Sequence, residues 1–286
     1  MTHAAVERWL AQRRRLVDRA LERTLPARRS QLRAAMRYSL LAGGKRLRPI
    51  LALTTGELVG APTTTVLPFA CALEYIHTYS LVHDDLPAMD NDDLRRGRPT
   101  SHKVYGEGLA ILVGDALLTE AFALMARAPG VAPARALAAV EELARAAGEA
   151  GMVGGQALDL AAEGTVASLA RLRAMHGRKT GALFRAAVRV GAIVGGARPA
   201  VLRRLTAYGE QLGLAFQIVD DLLDAGDGGG DAARGKSTYP AVLGVARARR
   251  YAERARDAAC AALQPFGREA DPLRGIATWV VAQVSA

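Results

Sequence analysis

Apolar residues recur at helical spacing along most of the chain. Runs with i, i+3, i+4 periodicity span residues 4–25, 31–41, 66–85, 108–128, 134–150, 166–192, 200–224 and 239–263, and this pattern predicts amphipathic helices that bury one face. Breakers separate the runs: Gly43-Gly44, Pro62, Pro87, Gly97 to Pro99, Pro129-Gly130, Pro199 and the glycine-rich stretch 227–231. Proline removes a backbone donor and clashes with the preceding turn, and glycine costs entropy to order, so both punctuate helices. Strand-like alternation is nearly absent. There is no internal repeat of fixed period, no long linker and no low-complexity tail. The pattern predicts an all-α fold, one domain over residues 1–286, with about ten helices bundled around a central apolar cavity.

Composition supports this reading. Half of the 286 residues are hydrophobic and only 5% are aromatic; Ala, Leu and Arg, all strong helix formers, are abundant. No unbroken apolar run approaches the ~18 residues of a membrane span, so none is expected. Residues 1–15 carry Glu7 and several arginines where a secretory signal would be apolar, and read as a first amphipathic helix. Cys71 and Cys260 lie far apart and form no CxxC pair, which suits a reducing cytoplasm.

The net charge of +10 fits three readings: nucleic-acid binding, attraction of an anionic small substrate, or arginine spread over solvated helix faces. No stretch interleaves basic and aromatic residues as an RNA platform does, so nucleic acid is not the expected partner. Among 38 basic residues only Lys45, Lys103, Lys179 and Lys236 are lysine. A chain that otherwise uses arginine marks, with a lysine, a place for a compact point charge.

Two aspartate clusters carry the strongest chemical signal. The first runs Asp84-Asp85-Leu-Pro87-Ala-Met-Asp90, and the second holds Asp220, Asp221 and Asp224. Each follows an apolar run. Asp220 and Asp224 are spaced i, i+4, on one helix face, at the helix end where the dipole disfavours negative charge; a cation between them relieves the repulsion. Pro87 should end the first helix and let Asp90 curl back toward Asp84. Oxygen donors without His or Cys suit magnesium, which accepts few protein ligands and keeps places for phosphate oxygens. Acidic loop ends and a calcium site are the competing readings. Basic segments accompany the clusters: Lys45, Arg46 and Arg48 after Gly43-Gly44, then Arg95-Arg96, then Arg178-Lys179-Thr180, then Lys236-Ser237-Thr238. Alone, each reads as a helix cap or a solvated turn; the cations beside the glycine pair suit a diphosphate.

The ordered motifs GGKRLRP, EYIHTYSLVHDDLPAMDNDDLRRGRPTSH, GDALLTEAF, GGQALDL, HGRKTGAL, FQIVDDLLD and GKSTYPAVLG cover about residues 25–263. In them the chain resembles the trans-isoprenyl diphosphate synthase family, nearest its bacterial farnesyl diphosphate synthases. The resemblance implies the isoprenoid synthase fold, a homodimer without stable membrane anchoring, and a magnesium-dependent prenyltransferase with three ions per active site. It places isopentenyl diphosphate on Lys45, Arg48, His77 and Arg96, and the allylic diphosphate on Arg95, Lys179, Thr180, Gln217 and Lys236. It gives magnesium to Asp84, Asp85, Asp90, Asp220 and Asp224, and puts Tyr79 and Ser80 at the floor that limits chain length, for a C15 product. Geranylgeranyl diphosphate synthase is the alternative product reading; a class I terpene cyclase and a subunit of a heteromeric synthase are the others. His83 and His102 lie inside matched motifs without an implied role. Relative to the family, segment 225–235 is short and lacks lysine, which implies weaker closure over the allylic diphosphate.

Overall fold

The periodic runs do fold as helices. The structure is a computed structural model describing residues 1–162, 164, 168–226 and 237–284; Lys236 and the shortened segment from residue 227 onward lie outside the described residues. Helices α1 (His3–Thr24), α2 (Gln31–Leu40), α3 (Leu47–Leu58) and α4 (Thr63–Asp84) open the chain. After a two-residue hairpin come α5 (Ser101–Tyr105), α6 (Glu107–Ala126), α7 (Pro133–Ala147), α8 (Met152–Ala162) and α9 (Leu169–His176). A π-helical turn (Gly177–Gly181) leads into α10 (Ala182–Val194), followed by α11 (Pro199–Gly226), α12 (Tyr239–Leu243), α13 (Val245–Ala262) and α14 (Asp271–Ala282). Ser30 and Ser168 cap α2 and α9 by accepting a backbone N–H three residues on, as N-cap hydroxyls do.

The bundle is organised about α4, α3 and α10. From Val66 to Ile76 almost every α4 side chain is buried, so this helix has no solvent face and must sit centrally. α3 and α10 pack on one flank and α6 on another, while α11 packs between α10 and α13. One connected apolar cluster runs through all of these helices. This layout leaves the C-terminal end of α4 and the C-terminal part of α11 facing each other across a cavity.

Three expectations change in detail. The run 166–192 is a helical path from Leu169 to Val194 interrupted by the π turn. The run 239–263 is two helices, because Gly244 takes φ +76°, outside the helical region. The third change concerns α6, which by length and composition alone is apolar enough to cross a membrane. Asp115 and Glu120 interrupt it in the sequence, and it packs along α4.

Candidate active site

α4 ends at Asp84, and the chain folds back at once: the Asp90 N–H donates to the Asp84 carbonyl at 2.8 Å. The turn that Pro87 predicts is therefore made, and Asn91 completes it with φ +53°. A hairpin follows, pairing Leu94 with Pro99 and Arg95 with Arg98. Its two tip residues, Arg96 and Gly97, both have positive φ, the geometry of a tight two-residue connection. For Arg96 this is a strained position, held because its guanidinium donates to the Gly43 carbonyl.

A cavity of roughly 860 Å³ opens beyond this turn. Its α4 wall presents His77, Tyr79, Ser80, His83 and Asp84, and the loop adds Asp90, Asp92, Arg95 and Arg96. The α11 wall presents Phe216, Gln217, Asp220, Leu223 and Asp224; the π turn adds Lys179 and Thr180, and α8 closes the side. Ser237 and Thr238 also line the cavity.

Each cluster contains an Asp-Asp pair, and the members of each pair face different ways. Asp84 and Asp220 line the cavity, whereas Asp85 and Asp221 are 3% and 2% exposed and do not. Asp85 accepts from Arg95 Nε at 2.6 Å, and Asp92 accepts from the same guanidinium at 3.2 Å. Burial pushes the Asp85 carboxyl up to about 6, although Arg95 opposes the shift. Asp221 accepts from the Gln217 amide and from the Tyr239 backbone N–H, both at 2.8 Å. Asp85, expected among the metal carboxylates, thus stands behind the cavity wall and braces Arg95.

The π turn carries Lys179 and Thr180. α8 can lean against it because residue 155 is glycine: a Cβ there would stand 2.2 Å from the Lys179 backbone nitrogen. Lys179 Nζ donates to Asp159 on α8 at 2.5 Å. Thr180 donates to Gln217 Oε1 at 2.5 Å, so Thr180, Gln217, Asp221 and Tyr239 form one chain of hydrogen bonds. π turns of this kind concentrate at functional sites.

The basic set divides. Arg48, His77 and Arg96 line the cavity. The Arg48 guanidinium lies 4.7 Å over the Phe184 ring; burial pushes it down to about 10, so it keeps its charge. Burial and the neighbouring arginines, Arg48 and Arg96 foremost, hold His77 well below its ordinary value, as a neutral imidazole. Lys45 does not line the cavity; its ammonium lies 5.8 Å from the Phe216 ring and 5.9 Å from the Trp279 ring. Arg46 is buried and turns inward to Glu74 at 2.6 Å, Asp18 at 2.9 Å and the Leu40 carbonyl at 2.9 Å.

Sequence reasoning passed over Asp159 and Gln156, and did not foresee the bracing role of Asp85 and Asp221. The signal for the first two was present in GGQALDL: a Gln and an Asp three apart on an otherwise apolar helix turn. The donor set left in the cavity, Asp84, Asp90, Asp220 and Asp224, is all oxygen. Among the described residues no three His, Cys, Asp or Glu side chains converge into a closed metal cage. Carboxylates on two opposed walls instead fit a hard divalent ion that takes one or two protein oxygens and shares the remainder with phosphate and water.

Comparison with known proteins agrees with this architecture. Residues 29–264 match the polyprenyl synthetase family. The chain is 46% identical over 284 residues to a dimethylallyltranstransferase of Fischerella ambigua, covering 96% of this chain and 82% of the relative. It is 46% identical over 261 residues to a farnesyl diphosphate synthase of Geobacillus stearothermophilus, covering 87% and 88%. Among solved structures it is similar to an FPP/GFPP synthase from Zymomonas mobilis, with TM-score 0.91, 41% identity, and 98% and 100% coverage. With a family match over most of its length and opposed aspartate walls around one cavity, the chain belongs to the polyprenyl synthetase family.

Proposed function

We propose that the chain is a magnesium-dependent trans-prenyltransferase that adds isopentenyl diphosphate to dimethylallyl and geranyl diphosphate, with farnesyl diphosphate (C15) as main product. One observation carries the reading: a single cavity is lined by Arg48, His77 and Arg96 together with Lys179, Thr180 and aspartates from two facing walls. A terpene cyclase holds one diphosphate and leaves such a second basic set without a ligand. A non-catalytic partner subunit is expected to lack the aspartates, and both clusters are present.

Asp84, Asp90, Asp220 and Asp224 would hold the magnesium, three ions per site, and magnesium when bound neutralises the allylic diphosphate. Lys179, Arg95 and Lys236 add fixed positive charge where negative charge develops. The allylic C–O bond breaks and its electron pair leaves with the diphosphate. The double bond of isopentenyl diphosphate supplies the pair for the new C–C bond, and a proton passes from the condensed chain to the released diphosphate. Thr180 and Gln217 fix each other, so an amide oxygen dipole is held ready for the allylic cation. Arg48 and Arg96, at the cavity wall, bind the second diphosphate, Lys45 joins them by swinging away from the Phe216 and Trp279 rings, and His77, being neutral, offers a hydrogen bond. Apolar walls exclude water that would quench the cation.

Burying a further five-carbon unit is favourable by about 4 kcal/mol, at ~0.8 per carbon, so only a steric floor stops growth. Tyr79 and Ser80 line the cavity and Tyr79 is 5% exposed, which supports them as that floor. Residues 1–286 act as one domain, cytoplasmic, in a homodimer supported by the exposed apolar side chains Val104, Ile111 and Leu112 of α5 and α6. The test is purified protein with magnesium, dimethylallyl and isopentenyl diphosphates, and product sizing. C15 is expected; mainly C20 gives the geranylgeranyl reading, and no condensation overturns the class.

A further inference from the structure

Gln156 lies on the face of α8 that lines the cavity, among the apolar side chains of Met152, Val153, Ala157 and Leu160. Both polar atoms of its amide, Oε1 and Nε2, are buried and neither has a hydrogen-bond partner. An unsatisfied buried polar group destabilises the fold, and folded proteins retain few of them. The other amide in the cavity differs: Gln217 accepts from Thr180 and donates to Asp221. One amide is thus fixed by the protein, and the other carries a full, unspent hydrogen-bonding capacity beside the space a substrate fills.

Its position narrows what it meets. Gly155, the preceding residue, is the point where α8 touches the Lys179 backbone. Asp159, three residues on, holds the Lys179 ammonium. Gln156 therefore stands on the Lys179 side of the cavity, where the proposed function places the allylic diphosphate. When the allylic C–O bond breaks, an ion pair appears there: positive charge on the allylic carbons and negative charge on the departing oxygen. An amide is suited to both halves, with a weakly nucleophilic oxygen dipole for the cation and an N–H donor for the leaving group.

We propose that Gln156 is a further catalytic residue, its carbonyl oxygen turned to the allylic cation and its amide NH₂ to the departing diphosphate. The inference rests on the prenyltransferase reading. C–O cleavage, C–C bond formation and proton loss stay as described above; Gln156 exchanges no atoms and lowers only the energy of the ionised state.

The test is Gln156→Met in the full-length protein, which keeps length and volume and removes both polar atoms. Thermal melting without substrate and steady-state kinetics with both diphosphates are measured beside wild type. The expected result is a Tm equal to or above that of wild type, because two unsatisfied atoms are gone. The kcat falls about 10²-fold or more, the scale of one preorganised donor, with the allylic KM within about threefold. A drop in kcat at constant KM is the mark of an interaction made in the transition state. A kcat within about threefold of wild type, or a lowered Tm with a loss confined to KM, overturns the proposal. Should Gln156→Met not fold, Gln156→Glu keeps the shape but loses the donor; a kcat loss of tenfold or more is then expected, and a retained kcat overturns it. An inactive wild type refutes the prenyltransferase reading itself and Gln156 with it, whereas an active wild type beside an active variant refutes only Gln156.

Discussion

Lys179 on the π turn and Asp159 on α8 meet at 2.5 Å, with side chains 25% and 10% exposed. The pair ties the turn to α8 and holds the ammonium at the cavity wall instead of free in solvent. Partial burial makes the interaction stronger than a surface pair, for which a few tenths of a kcal/mol is common. In Asp159→Asn the charge partner is lost while shape is kept. The allylic KM should rise several-fold and the isopentenyl KM should hold. Equal allylic KM values in wild type and variant show the pair to be a bystander.

Removing a carboxylate from either wall tests the metal reading. Asp220→Asn or Asp84→Asn should cost at least about 3 kcal/mol, roughly a hundredfold in kcat. Chelation of divalent ions should abolish turnover of wild type, and magnesium should restore it. Near-normal turnover in Asp220→Asn contradicts the assignment.

Tyr79 sets the product length if it is the floor. Tyr79→Ala opens the pocket beneath the growing chain, and products of C20 or longer should replace C15, read by product sizing. A variant that still stops at C15 moves the floor to other residues.

Arg46 shares a motif with Lys45 and Arg48 but works in the fold. It is 3% exposed and Glu74 2%, with the two side chains 2.6 Å apart. Glu74→Gln leaves a buried guanidinium without its main charge partner, which should cost about 3–5 kcal/mol. Urea denaturation measures that loss, and kcat of the folded variant should stay near wild type. A variant as stable as wild type shows that Asp18 and the Leu40 carbonyl suffice.

His77 gives a pH signature. Its folded value is well below the ordinary 6.5, so at acid pH the unfolded chain binds a proton that the folded protein refuses. The His77 contribution to stability is therefore full above about pH 6.5 and is lost as pH falls below it. His77→Gln should flatten that acid-side decline in denaturation curves. An imidazole that titrates at or above 6.5 in NMR contradicts the neutral assignment.

Much of this was legible in the chain because it is local. Helices follow from apolar periodicity, and the helix end at Asp84 with the return of Asp90 follows from Pro87. The shared face of Asp220 and Asp224 follows from i, i+4 spacing. The resemblance added roles motif by motif, and the cavity gathers most of those residues: Arg48, His77, Tyr79, Asp84, Asp90, Arg95, Arg96, Lys179, Thr180, Gln217, Asp220 and Asp224.

Other features depended on how the helices pack. In each Asp-Asp pair either member was equally acidic, and only the rotation of α4 and α11 against their neighbours made Asp84 and Asp220 face the cavity. That rotation turned Asp85 to Arg95 and Asp221 to Tyr239. Likewise, spacing alone could not rank Lys45, Arg46 and Arg48; the resemblance left Arg46 without a role, and packing shows Glu74, on another helix, holding it. Lys179 found Asp159, and Gln156 found no partner, through contacts between α8 and the π turn. Spacing along a chain fixes which side chains share a face. Which face meets which neighbour is set by the close packing of whole helices, so these pairings became definite only in the folded protein.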